Sequence, residues 1–252
     1  MQTEVHVYAF SVAANALLCF FPFLIVSLSL TRLIFDQQTT VAAMDSALRD
    51  FFPDALGQFL RRNLPAARPL ELLSMVLLFF TANGIFEPLE VALNRIWGLP
   101  KNRSFLRNQL VGLWLIFVCG GLALVSLSVS ALQAGALRGV PGQAFLSGVF
   151  FKLAAVPFTA LILFLIYRYL PNGRTPLARV VPAAIGTGLL LELLKYVNVL
   201  AWPWVASRIA REYGVFSNSV TLLFLAFLAT LLVLAGAEWA ARGHRLDRPG
   251  PP

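Results

Sequence analysis

The sequence predicts an all-α polytopic membrane protein, a bundle of six transmembrane helices with an amphipathic helical connection between the first and second, and three observations predict it. Hydrophobic residues make up 58% of the 252 residues and charged residues only 13%, against about 25% charged in an ordinary soluble domain. Mean hydropathy is +0.76. The charges also stand apart from one another, leaving uncharged runs long enough to cross a hydrocarbon layer, which takes about 20 helical residues. Backbone polar groups in lipid must be satisfied inside each helix or in a closed barrel, and barrel-type alternation is absent.

The first span is Val5 to Thr31, 27 residues without Asp, Glu, Lys or Arg. Pro22 inside it lacks an amide donor and predicts a kink, freeing a carbonyl that lines a cavity or is satisfied by a neighbour. The second span is Leu72 to Phe86, 15 uncharged residues extended by Leu70 and by Pro88 and Leu89 if Glu71 and Glu87 sit at the interfaces. Asn108 to Leu137, 30 uncharged residues without proline, is the third. The fourth, about Phe145 to Tyr169, carries Lys152 near one end, where its stem can snorkel to the headgroups, and Pro157, which predicts a kink. The fifth runs from about Val180 to Trp202, and the sixth, Tyr213 to Ala237, is 25 uncharged residues between Glu212 and Glu238.

Between the first two spans, Met44, Ala47, Leu48, Phe51 and Phe52, then Leu56, Phe59 and Leu60, follow helical spacing around Pro53. Two short amphipathic helices are expected there, as a lid packed on the helix ends or as a moving gate. A shorter element, Ala201 to Tyr213, places Trp202 and Trp204 at the interface. Small residues four apart, at Ser126 and Ser130, Ala131 and Gly135, Ala183 and Thr187, and Ala184 and Gly188, would allow close helix approach, although such residues are common in any membrane helix. Residues 1–242 are thus expected to form one transmembrane domain, and 243–252 a short disordered cytoplasmic tail.

Loop charges set the expected orientation. With both ends cytoplasmic, that side holds ten basic residues, among them Arg95, Lys101, Arg168, Arg174 and Arg242, and the other side eight, five of them in the long connection between the first two spans. Both termini are therefore expected inside. Residues 1–6 contain Glu4 and no Lys or Arg, which argues against a cleaved signal peptide and leaves span one in the mature protein.

Within this apolar frame Glu192 and Lys195 stand out, three residues apart and so on one face of the fifth helix. A charge at that depth costs about 2.5–3.5 kcal/mol even on the lenient insertion scale, so it needs a partner, water or a task. Elsewhere the chemistry is sparse. Cys19 and Cys119 fall inside spans, where a thiol acts as a small apolar residue. His6 and His244 lie near opposite termini, and no carboxylate cluster suits a metal or a nuclease. No phosphate-binding G-x-x-x-x-G-K-[ST] motif occurs. Ser126, Ser128 and Ser130 have no histidine within a span to activate them. The net charge of +8 fits anionic lipid better than nucleic acid, since its arginines border the spans. An enzyme, a cofactor and a nucleic-acid partner are accordingly not expected.

Several motifs in order resemble the YihY/BrkB family of bacterial inner-membrane proteins, once mislabelled ribonuclease BN. They are Phe20-Phe21-Pro22 in span one, Ala92-Leu93-Asn94-Arg95-Ile96-Trp97-Gly98 after span two, and Leu170-Pro171-Asn172 after span four. Glu192 and Lys195 follow in span five, then Tyr213-Gly214 opening span six and Gly236-Ala237-Glu238 closing it. The resemblance implies six helices with both ends cytoplasmic, in the inner membrane. Relatives often carry a basic cytoplasmic segment ahead of span one, and this sequence starts abruptly. Asn94 is expected to cap a helix, Arg95 to meet anionic headgroups, Pro171-Asn172-Gly173 to form a cytoplasmic turn, and Glu238 to pair with a loop arginine.

The resemblance also implies a link to envelope lipid movement and to resistance against host serum. The expected function is that of a lipid or amphiphile transporter, or the membrane partner of a lipid-export apparatus, with membrane lipids and a periplasmic lipid-export protein as partners. The competing expectation is a non-transporting scaffold, in which Glu192 and Lys195 neutralise each other and fix helix packing. A transporter needs a cavity reaching the pair; a scaffold should bury it against packed side chains.

Overall fold

The computed structural model describes residues 2–32, 67–99, 110–112, 114–115, 117–122, 125 and 143–246. Among them the protein is helical without strands: α1 (Gln2–Arg32), α2 (Ala67–Ile96), α3 (Gln143–Tyr169), α4 (Leu177–Tyr213) and α5 (Ser217–Leu246), with a single 3-10 turn, Gly214–Phe216, before α5. Four stretches are long and apolar enough to cross a membrane: Glu4–Ser27, Val76–Ile96, Leu177–Ala201 and Ser219–Arg242. Shorter apolar helices, Leu110–Leu122 and Val156–Tyr169, lie where spans three and four are expected. The expected amphipathic connection, the small residues at 126–135 and the last six residues of the expected tail lie outside the described residues, as does the side chain of Lys152.

Helices overrun the expected spans, for a physical reason. Hydropathy marks where lipid lies, whereas a helix stops where its last carbonyls find other donors. The α2 helix continues past Phe86 through Pro88 to Ile96, so Asn94 and Arg95 sit in its last turn and not in a region after it. It ends where Gly98 takes φ +62°, with Gly98 N–H donating to Arg95 C=O and Leu99 N–H to Asn94 C=O. This is a Schellman closure, and it needs the left-handed backbone that glycine adopts without strain. Similarly, α4 runs through Pro203 to Tyr213, so the expected separate element at 201–213 is a continuation of the fifth span. Gly214, at φ +52°, ends it, and α5 begins at Ser217 instead of Tyr213. The α1 helix likewise passes through Pro22 without a break.

The helices pack with α1 against α2 and α5, and α4 against α3 and α5. Buried apolar residues come from the end of α2 (Leu89, Leu93, Ile96), the end of α3 (Leu163, Tyr167), the start of α4 (Val180, Ala183, Ala184) and the end of α5 (Leu234, Ala237, Ala240, Ala241). These parts of the helices form one tightly packed pole. Elsewhere large apolar side chains are exposed, as at Phe80, Phe117, Leu193, Leu200 and Phe224. A continuous apolar exterior of this kind suits lipid, not water.

On α4 the inward stripe is Val180, Ala183, Ala184, Thr187, Gly188 and Glu192, all buried, while Val181, Ile185, Leu189, Leu193 and Val197 face outward. Spacings of three and four put the carboxylate on the face that packs the bundle. Small residues there permit close approach: a methyl on Gly188 would lie 3.5 Å from the backbone of Ala160 on α3.

Candidate functional site

Glu192 is 7% exposed. Lys195 Nζ reaches its Oε2 at 2.5 Å, and Thr159 on α3 donates its hydroxyl to Oε1 at 3.3 Å. Both carboxylate oxygens therefore have donors, from two helices. With a rise of about 1.5 Å per residue, the pair lies roughly 20 Å along α4 from Arg179, well inside a hydrocarbon layer of about 30 Å if that arginine marks the interface.

The pair is not sealed by packing. Glu192 and Lys195, with Thr159, Asn198, Leu225 and Ala229, line a pocket of about 270 Å³ between α4 and α5. One fifth of the Lys195 side chain remains exposed. Apart from the charged pair and the Thr159 and Asn198 side chains, the walls are leucine and alanine. An apolar cleft holding a few convergent polar groups suits an amphiphile or an ion with its water.

A second pocket, of about 360 Å³, opens at the packed pole between α1, α2 and α5. Arg95 pairs with Glu4 and lies over the Tyr8 ring, 5.9 Å from its centroid. Arg242 pairs with Glu238 one turn away at 3.0 Å. Glu4 from the start of the chain and Arg242 from near its end line this one pocket, so the two ends of the described chain share a pole. The α5 residues of the first pocket (Leu222, Leu225, Ala226, Ala229) and of the second (Leu231, Leu234, Ala235, Glu238) fall on opposite faces at 100° per residue.

Two polar junctions join the helices. Asn94 is 5% exposed; its Oδ1 accepts the Asn172 backbone N–H at 2.7 Å, and its Nδ2 donates to Glu90 at 3.5 Å. It therefore ties the end of α2 to the α3–α4 turn, a longer-range role than capping its own helix. Tyr167 donates its hydroxyl to Val233 C=O on α5 at 2.6 Å, lies 3.3 Å from the Thr187 hydroxyl on α4, and accepts from Thr175 at its backbone carbonyl. Gly236 faces that junction, where a methyl group would collide with the Thr187 hydroxyl.

The residues singled out from sequence therefore distribute as follows. Glu192 and Lys195 meet in one pocket, Arg95 and Glu238 in the other. Asn94 meets Asn172, next to buried Pro171. Gly236 makes room for the tyrosine junction, Gly214 terminates α4, and Pro22 sits within α1. Sequence reasoning missed Glu90, 2% exposed, although its four-residue spacing to Asn94 was a usable signal. It also missed Tyr167, which no local pattern marks. Cys19 and Cys119 are free thiols, and no group of three or more His, Cys, Asp or Glu side chains suited to a metal occurs among the described residues.

Fold and pockets define a polytopic helical membrane protein with a charged pair within its span. The family described as Virulence factor BrkB matches residues 1–250, and the chain belongs to that family. It is 26% identical over 240 residues to a UPF0761 membrane protein of Chromobacterium violaceum, covering 92% of this chain and 56% of that one. A UPF0761 membrane protein of Chlorobium chlorochromatii is 29% identical over 245 residues, with 95% and 56% covered. One from Pseudoalteromonas translucida is 24% identical over 252 residues, with 96% and 82% covered. The chain thus spans a little over half the length of the first two. No solved structure matches it.

Proposed function

We propose that this protein is a non-enzymatic, lipid- or amphiphile-translocating component of the bacterial inner membrane, working alone or as the membrane partner of a lipid-export apparatus, with both termini cytoplasmic. The observation that carries the reading is the pocket of about 270 Å³ that reaches Glu192 and Lys195. An ion pair placed only for packing needs no opening beside it, whereas a ligand needs a route to its polar groups. Here a pocket adjoins the pair and one fifth of the Lys195 side chain is exposed. A lipid headgroup entering from the bilayer would find an ammonium for its phosphate and a carboxylate and hydroxyl for its polar substituents, between apolar walls for its chains. The basic residues at the packed pole, Arg95, Arg168, Arg174, Arg179 and Arg242, support a cytoplasmic placement of that pole.

One observation favours the scaffold reading: both oxygens of Glu192 have protein donors, so the site is satisfied without a ligand. Transport assays separate the two. In vesicles reconstituted with equal amounts of protein, Glu192→Gln and Lys195→Met should each slow movement of a fluorescent phospholipid between leaflets by about ten-fold, the loss of one charge-assisted contact. Unchanged movement in both variants would leave the pair a packing device.

A further inference from the structure

The pocket at the packed pole has a rim of both signs. Glu4 and Glu238 contribute two carboxylates, Arg95 and Arg242 two guanidiniums, and their formal charges cancel. Below the rim the wall is apolar, built from Val5, Ile96, Leu231 and Leu234. The ion pairs are largely exposed: the side chains of Arg95 and Glu4 are 48% and 57% accessible, those of Arg242 and Glu238 74% and 30%. Exposed pairs of this kind are weakly held, so exchanging one partner for a ligand group costs little. Tyr8 lies beneath Arg95 in a cation–π contact that does not involve the carboxylate.

We propose that this pocket is a headgroup site for a zwitterionic phospholipid bearing a phosphate and a primary amine. The phosphate accepts from Arg95 and Arg242, whose planar forks match its oxygens. The amine donates to Glu4 and Glu238, replacing the guanidiniums they release. The first methylenes of the chains lie along Ile96, Leu231 and Leu234. Charge complementarity selects this occupant. A singly anionic lipid would satisfy the arginines and leave two carboxylates facing negative charge, and a quaternary ammonium headgroup has no N–H to donate to them. The site stands apart from the Glu192 pocket, since α5 separates the two, and it holds whether or not the protein moves lipid.

Native mass spectrometry of the full chain in detergent tests this with dioleoyl phosphatidylethanolamine, phosphatidylglycerol and phosphatidylcholine at matched concentrations. Phosphatidylethanolamine should be retained about a hundred-fold better than either of the others, the effect of two charge-assisted contacts made by one lipid alone, at about ten-fold each. Arg242→Gln should weaken its retention by about ten-fold, and Glu238→Gln should weaken it while raising phosphatidylglycerol to the same level. Glu4→Gln and Arg95→Gln repeat the pattern from the other two helices, and Glu212→Gln, exposed on α4 and in neither pocket, should leave retention unchanged. Equal retention of phosphatidylethanolamine and phosphatidylglycerol by the unaltered chain, or retention that ignores all four rim substitutions, would overturn the proposal. So would displacement of the bound lipid by soluble phosphoethanolamine at the same concentration, which would show that the apolar wall contributes nothing.

Discussion

Glu192 holds two donors from two helices, and that arrangement has an energetic signature. Removing one partner of a buried ion pair leaves an uncompensated charge and typically costs about 3–5 kcal/mol. Because Lys195 still reaches the pocket, Lys195→Met should cost less, about 2 kcal/mol, as water solvates part of what remains. The double variant Glu192→Gln with Lys195→Met should recover about 1 kcal/mol of that, the coupling expected of residues in direct contact. Reversible unfolding in mixed micelles measures both values, and strictly additive losses would contradict a functional ion pair. At this scale the sequence was informative where charge met hydropathy: two charges in an apolar run and a spacing of three sufficed to pair Glu192 with Lys195. It was silent on Tyr167, whose three partners come from Thr175, Thr187 and Val233 and exist only after α3, α4 and α5 assemble. Glu90 was hidden differently, because a carboxylate near the end of a span reads as an interface residue, whereas here it is buried and accepts from Asn94.

At the level of the helices, close approach is set by glycine at one position and by open space at another. Gly236 on α5 faces the Tyr167 and Thr187 hydroxyls, whereas Gly186 on α4 is exposed with no neighbour in reach. Gly236→Val should therefore destabilise the protein by about 1–3 kcal/mol through overpacking. Gly186→Ala should be neutral or stabilising by up to about 1 kcal/mol, since alanine loses less backbone freedom in a helix. Thermal unfolding in detergent compares them, and an equal response would mean that the α4–α5 junction is loosely packed. The existence of these helices was legible from uncharged runs, but their ends were not. Chain termination rests on single glycines, Gly98 after α2 and Gly214 after α4, both at positive φ. Hydropathy windows pass over such residues, and α2 and α4 continue through Pro88 and Pro203 beyond the expected spans. The motif around Asn94 was legible as a motif, yet its function as a bridge to Asn172 spans 78 residues of chain.

Across the whole molecule, packing is uneven along the bundle axis. The pole formed by the ends of α2, α3 and α5 and the start of α4 is dense. Past it, Glu192 and Lys195 line a pocket between α4 and α5. A dense pole with a cleft beyond it can admit a headgroup partway across the bilayer without opening a continuous path for ions. This reading depends on the pocket being accessible in a membrane. Ala229 lines it on α5, opposite the charged pair, and a thiol placed there reports access directly. With Cys19 and Cys119 replaced by alanine, Ala229→Cys in reconstituted vesicles should react with a small, charged methanethiosulfonate reagent and be protected by phospholipid carrying a phosphate headgroup. A thiol at position 229 that stays unreactive, while an exposed cysteine elsewhere in the same chain is fully labelled, would contradict the account and leave Glu192 and Lys195 enclosed.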